Sequence, residues 1–154
     1  MTLKLNWTLK KFEELTNNEL YELLRLRSEV FVVEQKSLFA DMDNKDQNCL
    51  HLLGSEDGHI LAYSRIVPEG LSYEFPSIGR IVVAPAGRGS GLGQELMQVS
   101  IDALEDLYGK TTIRIGAQVY LREFYSSFSF RQTSDVYNED GIDHIEMTRK
   151  VGEN

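Results

Sequence analysis

Leu3, Leu5, Trp7 and Leu9 alternate with polar residues, the period-two pattern of a strand with one buried face. Thr16 and Glu19 then have capping-box spacing, and Leu20, Leu23, Leu24, Arg27, Val30 and Phe31 follow at mostly helical intervals. The spacing predicts a helix running to about Val33. Residues 37–48 lose periodicity and carry Asp41, Asp43 and Asp46, so a loop with at most a short helical piece is expected there. Two β-like segments, Cys49 to Ser55 and His59 to Pro68, flank Glu56-Asp57-Gly58, and Asp-Gly is a strong hairpin signal. Ile78 to Val83 reads as a strand stopped at Ala84-Pro85. After a glycine-rich run, Leu92, Leu96, Val99, Ala103, Leu104 and Leu107 mark one face of a helix, with Gly109 as its stop. Thr112 to Ala117 is a further strand and Tyr120 to Ser127 a short aromatic-rich helix. Phe130 to Val136 and Ile142 to Arg149 read as the last strands, joined by turn residues Asn138-Glu139-Asp140-Gly141. The pattern is an α/β domain of about seven strands, with helices after the first, fourth and fifth.

Composition narrows this. The 154 residues suit one domain, 1–154, and no apolar run is long enough to span a bilayer, so no membrane association is expected. The N-terminus shows no signal-peptide core, and the single Cys49 has no partner, which points to a reducing cytoplasm and a buried, inert thiol. A net charge of −8 argues against nucleic acid as a partner. It also means that any polyphosphate ligand must be held by locally arranged donors. With no His/Cys cluster at ligand spacing, no metal is expected. Asp41 to Asp46 begins like a calcium loop, but Asp46 stands where that loop needs Gly, and residue 52 is Leu. A solvated acidic loop is expected instead, at most a rim that draws in a cationic amine. His51 and His59 read as hairpin residues.

The candidate chemistry lies in the run containing Gly87, Gly89, Gly91 and Gly93, between a strand and an amphipathic helix. Glycines bring successive N–H groups close to a ligand, and the first N–H groups of a helix lack intrahelical partners and carry its positive dipole end. Such a junction suits a pyrophosphate even on an acidic protein. Gly93 is followed by Gln94-Glu95, so the lysine of a P-loop is missing. The spacing Gly89-x-Gly91-x-Gly93 also differs from the dinucleotide fingerprint.

Arg88-Gly89-Ser90-Gly91-Leu92-Gly93 resembles the Gln/Arg-x-x-Gly-x-Gly/Ala pyrophosphate loop of the GNAT superfamily of N-acetyltransferases, preceded by the family's Val-x-Pro at Val83-Ala84-Pro85. Phe124 to Phe130 is similar to its Phe-Tyr-x-x-x-Gly-Phe, with Ser129 in place of the glycine. The ElaA-like branch is a closer match, through Arg27 to Gln35, Ala62 to Ile66, Ile78 to Val83, Ala117-Gln118 and Glu139 to Met147. The branch's Cys-Pro is absent, since Lys36 is followed by Ser37-Leu38.

The resemblance implies a GNAT-type domain: a mixed, mostly antiparallel sheet splayed between strands 4 and 5, flanked by about four helices. It implies transfer of an acetyl group from acetyl-CoA to an amine by direct attack in a ternary complex. A small-molecule or peptide amine is the implied acceptor, and a homodimer is compatible with it. Main-chain groups of Ile81, Val82 and Val83 would hold the pantetheine arm and polarise the thioester. Arg88, Gly89, Ser90, Gly91, Leu92, Gly93 and Gln94 would hold the pyrophosphate, and Gln118 the pantetheine amide. Tyr125 matches the tyrosine that protonates the leaving thiolate. Ile78-Gly79-Arg80-Ile81 lacks the carboxylate many relatives use as base, which leaves Glu34 and His144 as acceptor-side candidates. The alternative is a degenerate fold that binds CoA as a sensor or interaction module, without turnover.

Overall fold

The structure, a computed structural model, describes residues 4–151. Leu3, expected on the buried face of the first strand, lies outside the described residues. β1 (Asn6–Lys11) leads through one 3₁₀ turn to α1 (Asn17–Arg27). The helix starts on its capping box: Thr16 Oγ1 accepts from Glu19 N–H at 3.1 Å, and Glu19 Oε1 accepts from Thr16 N–H at 2.9 Å. These bonds satisfy donors that have no intrahelical partner. From Ser28 to Glu34 the helix widens into a π-helix, in which Gln35 N–H donates to Val30 and Ser37 N–H to Val32.

β2 (Leu50–Glu56), β3 (His59–Val67) and β4 (Ser77–Val83) join β1 in an antiparallel sheet of order β1-β2-β3-β4. Asp57 and Gly58, at φ 50° and 80°, make the two-residue turn predicted between β2 and β3. α2 (Leu92–Tyr108) then carries the chain to β5 (Ile113–Gln118), α3 (Arg122–Ser126), β6 (Arg131–Gln132), β7 (Tyr137–Glu139) and β8 (Ile142–Arg149). β5, β6 and β7 all pair with β8, forming a second antiparallel sheet. The α/β, mostly antiparallel architecture is as expected, with eight strands among the described residues. The extra strand arises because only Arg131–Gln132 of the segment predicted as one strand, Phe130 to Val136, is strand, while Tyr137–Glu139, overlapping the predicted turn residues, pairs as a further one. Gln132 pairs with Met147 and Tyr137 with His144, so five steps along one strand match three along the other. In the gap Ser134 Oγ accepts from Glu146 N–H at 2.8 Å, replacing a ladder bond with a side chain.

α1 and its π extension bury Leu23, Leu26 and Val30 against Leu53, Tyr63 and Val82 on one face of the first sheet. α2 covers the other face, with Leu92 and Leu96 on Leu52 and Ala62. Further along α2, Met97, Ile101 and Leu104 reach Ile66, Ile78, Ile113 and Ile115, tying the two sheets together. The sheets touch where Arg114 N–H donates to the Pro76 carbonyl at 3.2 Å, but no ladder joins β4 to β5. β4 also carries a bulge: Tyr63 and Arg65 pair with Val82 and Gly79, one residue too many on β4, and Arg80 takes a φ of 50°.

The acidic loop is not solvated. Asp41 and Asp46 are buried, as are Arg27 and Arg65, and six ion pairs link the three aspartates to Arg27, Arg65 and Arg80 at 2.8 to 3.4 Å. Arg80 Nε lies 2.9 Å from Asp41 Oδ1, close but not aligned as a hydrogen bond, while its Nη2 donates to the Asp41 carbonyl at 2.7 Å. Burial pushes the Asp43 and Asp46 carboxyls up, and the hydrogen bonds and charge of the arginines outweigh it, holding both below the usual carboxylate range. The network straps residues 41–46 onto α1, β3 and the β4 bulge. His51 is a residue of the β2–β3 hairpin, as expected, and is also part of the core. It is fully buried; its Nε2 donates to the Asp46 carbonyl at 2.9 Å, and its Nδ1 accepts from the Tyr63 hydroxyl at 2.6 Å.

Candidate active site

A cavity of about 730 Å³ opens between the two sheets, where β4 and β5 have no ladder. Ile81, Val82, Val83, Arg88, Gln118, Tyr125, Glu34 and His144 all line it, whereas Gly89, Ser90, Gly91, Leu92, Gly93 and Gln94, also expected on the cofactor side, are not part of its lining. Gln35, Tyr73, Tyr137 and Glu139 also line it. No spacing in the sequence singles these four out, because they arrive from separate segments. The Glu139-Asp140-Gly141 turn was the one available pointer to β7.

At one edge stands the glycine run. Arg88 is exposed, and its guanidinium grips Glu34 with two bonds of 2.9 and 2.8 Å, while Nε donates to the Val83 carbonyl at 3.3 Å. The charged hydrogen bond from Arg88 holds the Glu34 carboxyl below its ordinary range. Gly89 and Gly91 take φ values of 87° and 78°, and Gly91 is the N-cap of α2. The first intrahelical bond runs from Glu95 N–H to the Gly91 carbonyl, so the N–H groups of Leu92, Gly93 and Gln94 have no partner within the helix. A Cβ at Gly89, Gly91 or Gly93 would meet nothing within 4 Å, so open space surrounds these donors. The turn is anchored from beneath. Leu92 is buried, a Cβ on Gly87 would come within 2.9 Å of its Cδ2, and Ser90 Oγ donates to the Gly87 carbonyl at 3.0 Å.

Tyr125 sits in α3, 7% exposed, with Phe124 and Phe130 edge-on at 5.2 and 6.2 Å. Burial, reinforced by Tyr120, pushes its phenol above the usual value. The end of α3 explains its placement. Phe130 N–H donates to the Tyr125 carbonyl and Ser129 N–H to the Ser126 carbonyl, at 3.2 and 3.0 Å, and Ser129 takes a φ of 71°. This is a Schellman motif with its hydrophobic contact between Tyr125 and Phe130. Ser129 therefore fills the left-handed position where the family pattern has glycine.

Gln118, at the end of β5, donates from Nε2 to Gln35 Oε1 at 3.2 Å, and its buried Oε1 has no hydrogen-bond partner among the described residues. His144 is its register partner on β8. His144 Nδ1 lies 2.8 Å from the Ile142 carbonyl, its ring stacks on Tyr137, and its Nε2 is 3.5 Å from Glu139 Oε2. Among the described residues no group of three or more His, Cys, Asp and Glu is arranged to hold a metal, and no helix is long and apolar enough to cross a membrane.

The sequence pattern of the acetyltransferase (GNAT) domain matches residues 13–151. This chain belongs to the GNAT acetyltransferase family. Within the family it is similar to ElaA-type proteins. The crystal structure of Escherichia coli ElaA matches this GNAT protein with a TM-score of 0.88 and 37% identity, over 96% of this chain and 100% of that one. An acyl-CoA N-acyltransferase from Pseudomonas aeruginosa matches with a TM-score of 0.90 and 41% identity, over 95% and 99%. A UPF0039 protein of Synechocystis sp. is 36% identical over 99% of each chain. A CoA-dependent acyl-homoserine lactone synthase solved with isopentyl-CoA shares the fold at a TM-score of 0.75 and 16% identity, covering 96% of this chain and 84% of that one. The open wedge between β4 and β5, with a glycine run at its edge, is thus the cleft of a GNAT acyltransferase fold.

Proposed function

We propose that this protein transfers an acetyl group from acetyl-CoA to an amine by direct attack within a ternary complex. The observation that carries the reading is the cavity between the sheets, where an unladdered strand edge and a buried tyrosine meet and which Arg88 lines just ahead of a helix N-terminus with free donors. The pyrophosphate is held by the N–H groups at the start of α2, where the dipole supplies positive charge without a lysine. The pantetheine arm lies along Ile81 to Val83, and Gln118 Oε1 accepts from one of its amides. Arg88 turns to a phosphate or stays with Glu34 and braces the loop.

The amine attacks the thioester carbon, and main-chain donors of β4 near the Arg80 bulge stabilise the oxyanion. Collapse of the intermediate expels the thiolate, and Tyr125 gives it a proton. The products are an amide and free CoA.

Acetyl-CoA incubated with a panel of primary amines should release thiol in proportion to amide formed. Binding of CoA without turnover of any amine would instead favour the sensor reading. Coenzyme A at 100 times its dissociation constant should stabilise the fold by about 2.7 kcal/mol, whereas ATP and NADH should not. Gly91→Val should abolish that shift, because a branched side chain enters the space where a pyrophosphate must approach the backbone.

A further inference from the structure

Of the two residues expected on the acceptor side, Glu34 has both carboxylate oxygens on Arg88. His144 is differently disposed. The Ile142 carbonyl 2.8 Å from Nδ1 only accepts, so Nδ1 carries the proton, and in the neutral ring Nε2 offers its lone pair. The ring is held on one side by Tyr137, stacked at 5.9 Å and 27°. The Glu139 carboxylate, 3.5 Å from Nε2, is 58% exposed and retains freedom to rotate. Beside them Gly116 lets two hydroxyls approach the backbone closely, since a Cβ there would come within 3.0 Å of the Tyr73 hydroxyl and 3.2 Å of the Tyr137 hydroxyl. All of these residues line the cavity that Tyr125 also lines.

The charges select the occupant. The arginines of the cavity are already engaged, Arg65 and Arg80 by Asp43 and Arg88 by Glu34, and Lys45 donates to Ser72 Oγ. Glu139 lines the cavity together with Tyr73 and Tyr137, and a carboxylate beside aromatic rings favours a cation. We infer that His144, Glu139, Tyr73 and Tyr137 form the acceptor subsite, that its occupant is a primary amine, and that His144 Nε2 takes the proton this amine loses. The inference rests on the acyl-transfer reading above.

The ammonium form docks on Glu139, and the neutral fraction reacts. The nitrogen lone pair forms a bond to the thioester carbon, and the C–S bond then breaks with its electron pair leaving on sulfur. Sulfur receives a proton from Tyr125, and the nitrogen, acidic once bonded to that carbon, gives its extra proton to Nε2. The imidazolium so formed faces the Glu139 carboxylate, which stabilises it. Solvent returns a proton from His144 to Tyr125, and the balance is amine plus acetyl-CoA to amide plus CoA. The titratable groups around the subsite are Glu139 and Tyr137 of β7, Tyr73 ahead of β4, Asp140 in the turn, and Glu146 further along β8.

The test compares wild type with His144→Asn, whose amide N–H can replace Nδ1–H towards Ile142 but which has no base at the Nε2 position. With a primary amine that wild type acetylates, kcat should fall by about 10²- to 10⁴-fold. The CoA-induced thermal shift should persist, which shows that the variant is folded. His144→Gln serves as the second variant if Asn is unstable, and free imidazole should restore part of the rate to His144→Ala. Glu139→Gln should raise KM for the amine more than it lowers kcat. Turnover of folded His144→Asn within about threefold of wild type, with chemistry rate-limiting, overturns the assignment. A wild-type protein that acetylates no amine overturns the acyl-transfer reading itself, and with it the subsite, before any variant is compared.

Discussion

Burial has two consequences for Tyr125. It raises the phenol pKa, and so ensures that the proton is present at any working pH, yet it makes the group a weaker acid. A thiolate expelled into the same desolvated cavity is made more basic by the same burial, which restores the match. Tyr125→Phe keeps the edge-on contacts with Phe124 and Phe130, so CoA affinity should be unchanged while kcat falls by about 10²- to 10⁴-fold. Unchanged single-turnover rates would make Tyr125 a packing residue. Asp46 poses the opposite case, a charge whose work is structural. Its Oδ1 accepts from both Arg27 and Arg65 at 2.9 Å, and all three side chains are buried. Asp46→Asn removes the charge and leaves two guanidinium groups undercompensated, so denaturant titration should show a loss of about 3–5 kcal/mol. A loss below about 1 kcal/mol would mean that Asp41 and Asp43 hold both arginines without it.

α3 is only five residues long, and its ends decide where Tyr125 points. The Schellman closure at Ser129 costs strain, since an L side chain at φ 71° is disfavoured by about 1–2 kcal/mol relative to glycine's freedom there. Ser129→Gly should therefore raise stability, by up to about 1 kcal/mol after the entropy of the added glycine is subtracted, with Tyr125 undisturbed. A destabilised variant would show that the serine makes a compensating interaction. The π segment after α1 is the other element with a visible purpose. Its wider turn ends at Glu34 and Gln35, which meet Arg88 and Gln118 across the cavity mouth. A regular α-helix would present a different residue there, since each turn advances by 3.6 residues rather than more.

Over the molecule as a whole, these buried ionisable groups set how the fold responds to acid. Burial lowers the pKa of His51, and protonating its Nδ1 would break the bond from the Tyr63 hydroxyl. Asp43 and Asp46 are also depressed in the folded state. For each group the unfolded chain binds more protons, so its contribution is present above the unfolded pKa and is lost as pH falls towards the folded value. Stability should begin to decline below about pH 6.5, the unfolded histidine value, and fall more steeply below about pH 4, where unfolded aspartates protonate. Thermal scans from pH 8 to pH 3 check this. A midpoint that stays flat between pH 7 and pH 5 while dropping only below pH 4 would remove His51 from the account.

The features legible in the chain alone are those whose cause lies within a few residues. The Thr16–Glu19 capping box, the Asp57-Gly58 turn, the Gly109 stop and the glycine run ahead of α2 each act through bonds or dihedral angles confined to one turn. The alternating and helical apolar patterns likewise place β1, β2, β3, β4, α2, β5 and β8, because each element has to bury a face. Tertiary structure alone decided the pairings that span the chain. Arg27 finds Asp41 fourteen residues away and Arg88 finds Glu34 across fifty-four, turning an apparently solvated acidic loop into a buried network and engaging a candidate base. The break between β6 and β7 depends on which β8 donor Ser134 meets, and the convergence of Tyr73, Tyr137 and His144 depends on sheet register. Such partners share no local period. Their proximity is set by how the two sheets pack around α2, and a charge or ring can be assigned its role only when the group it faces is known.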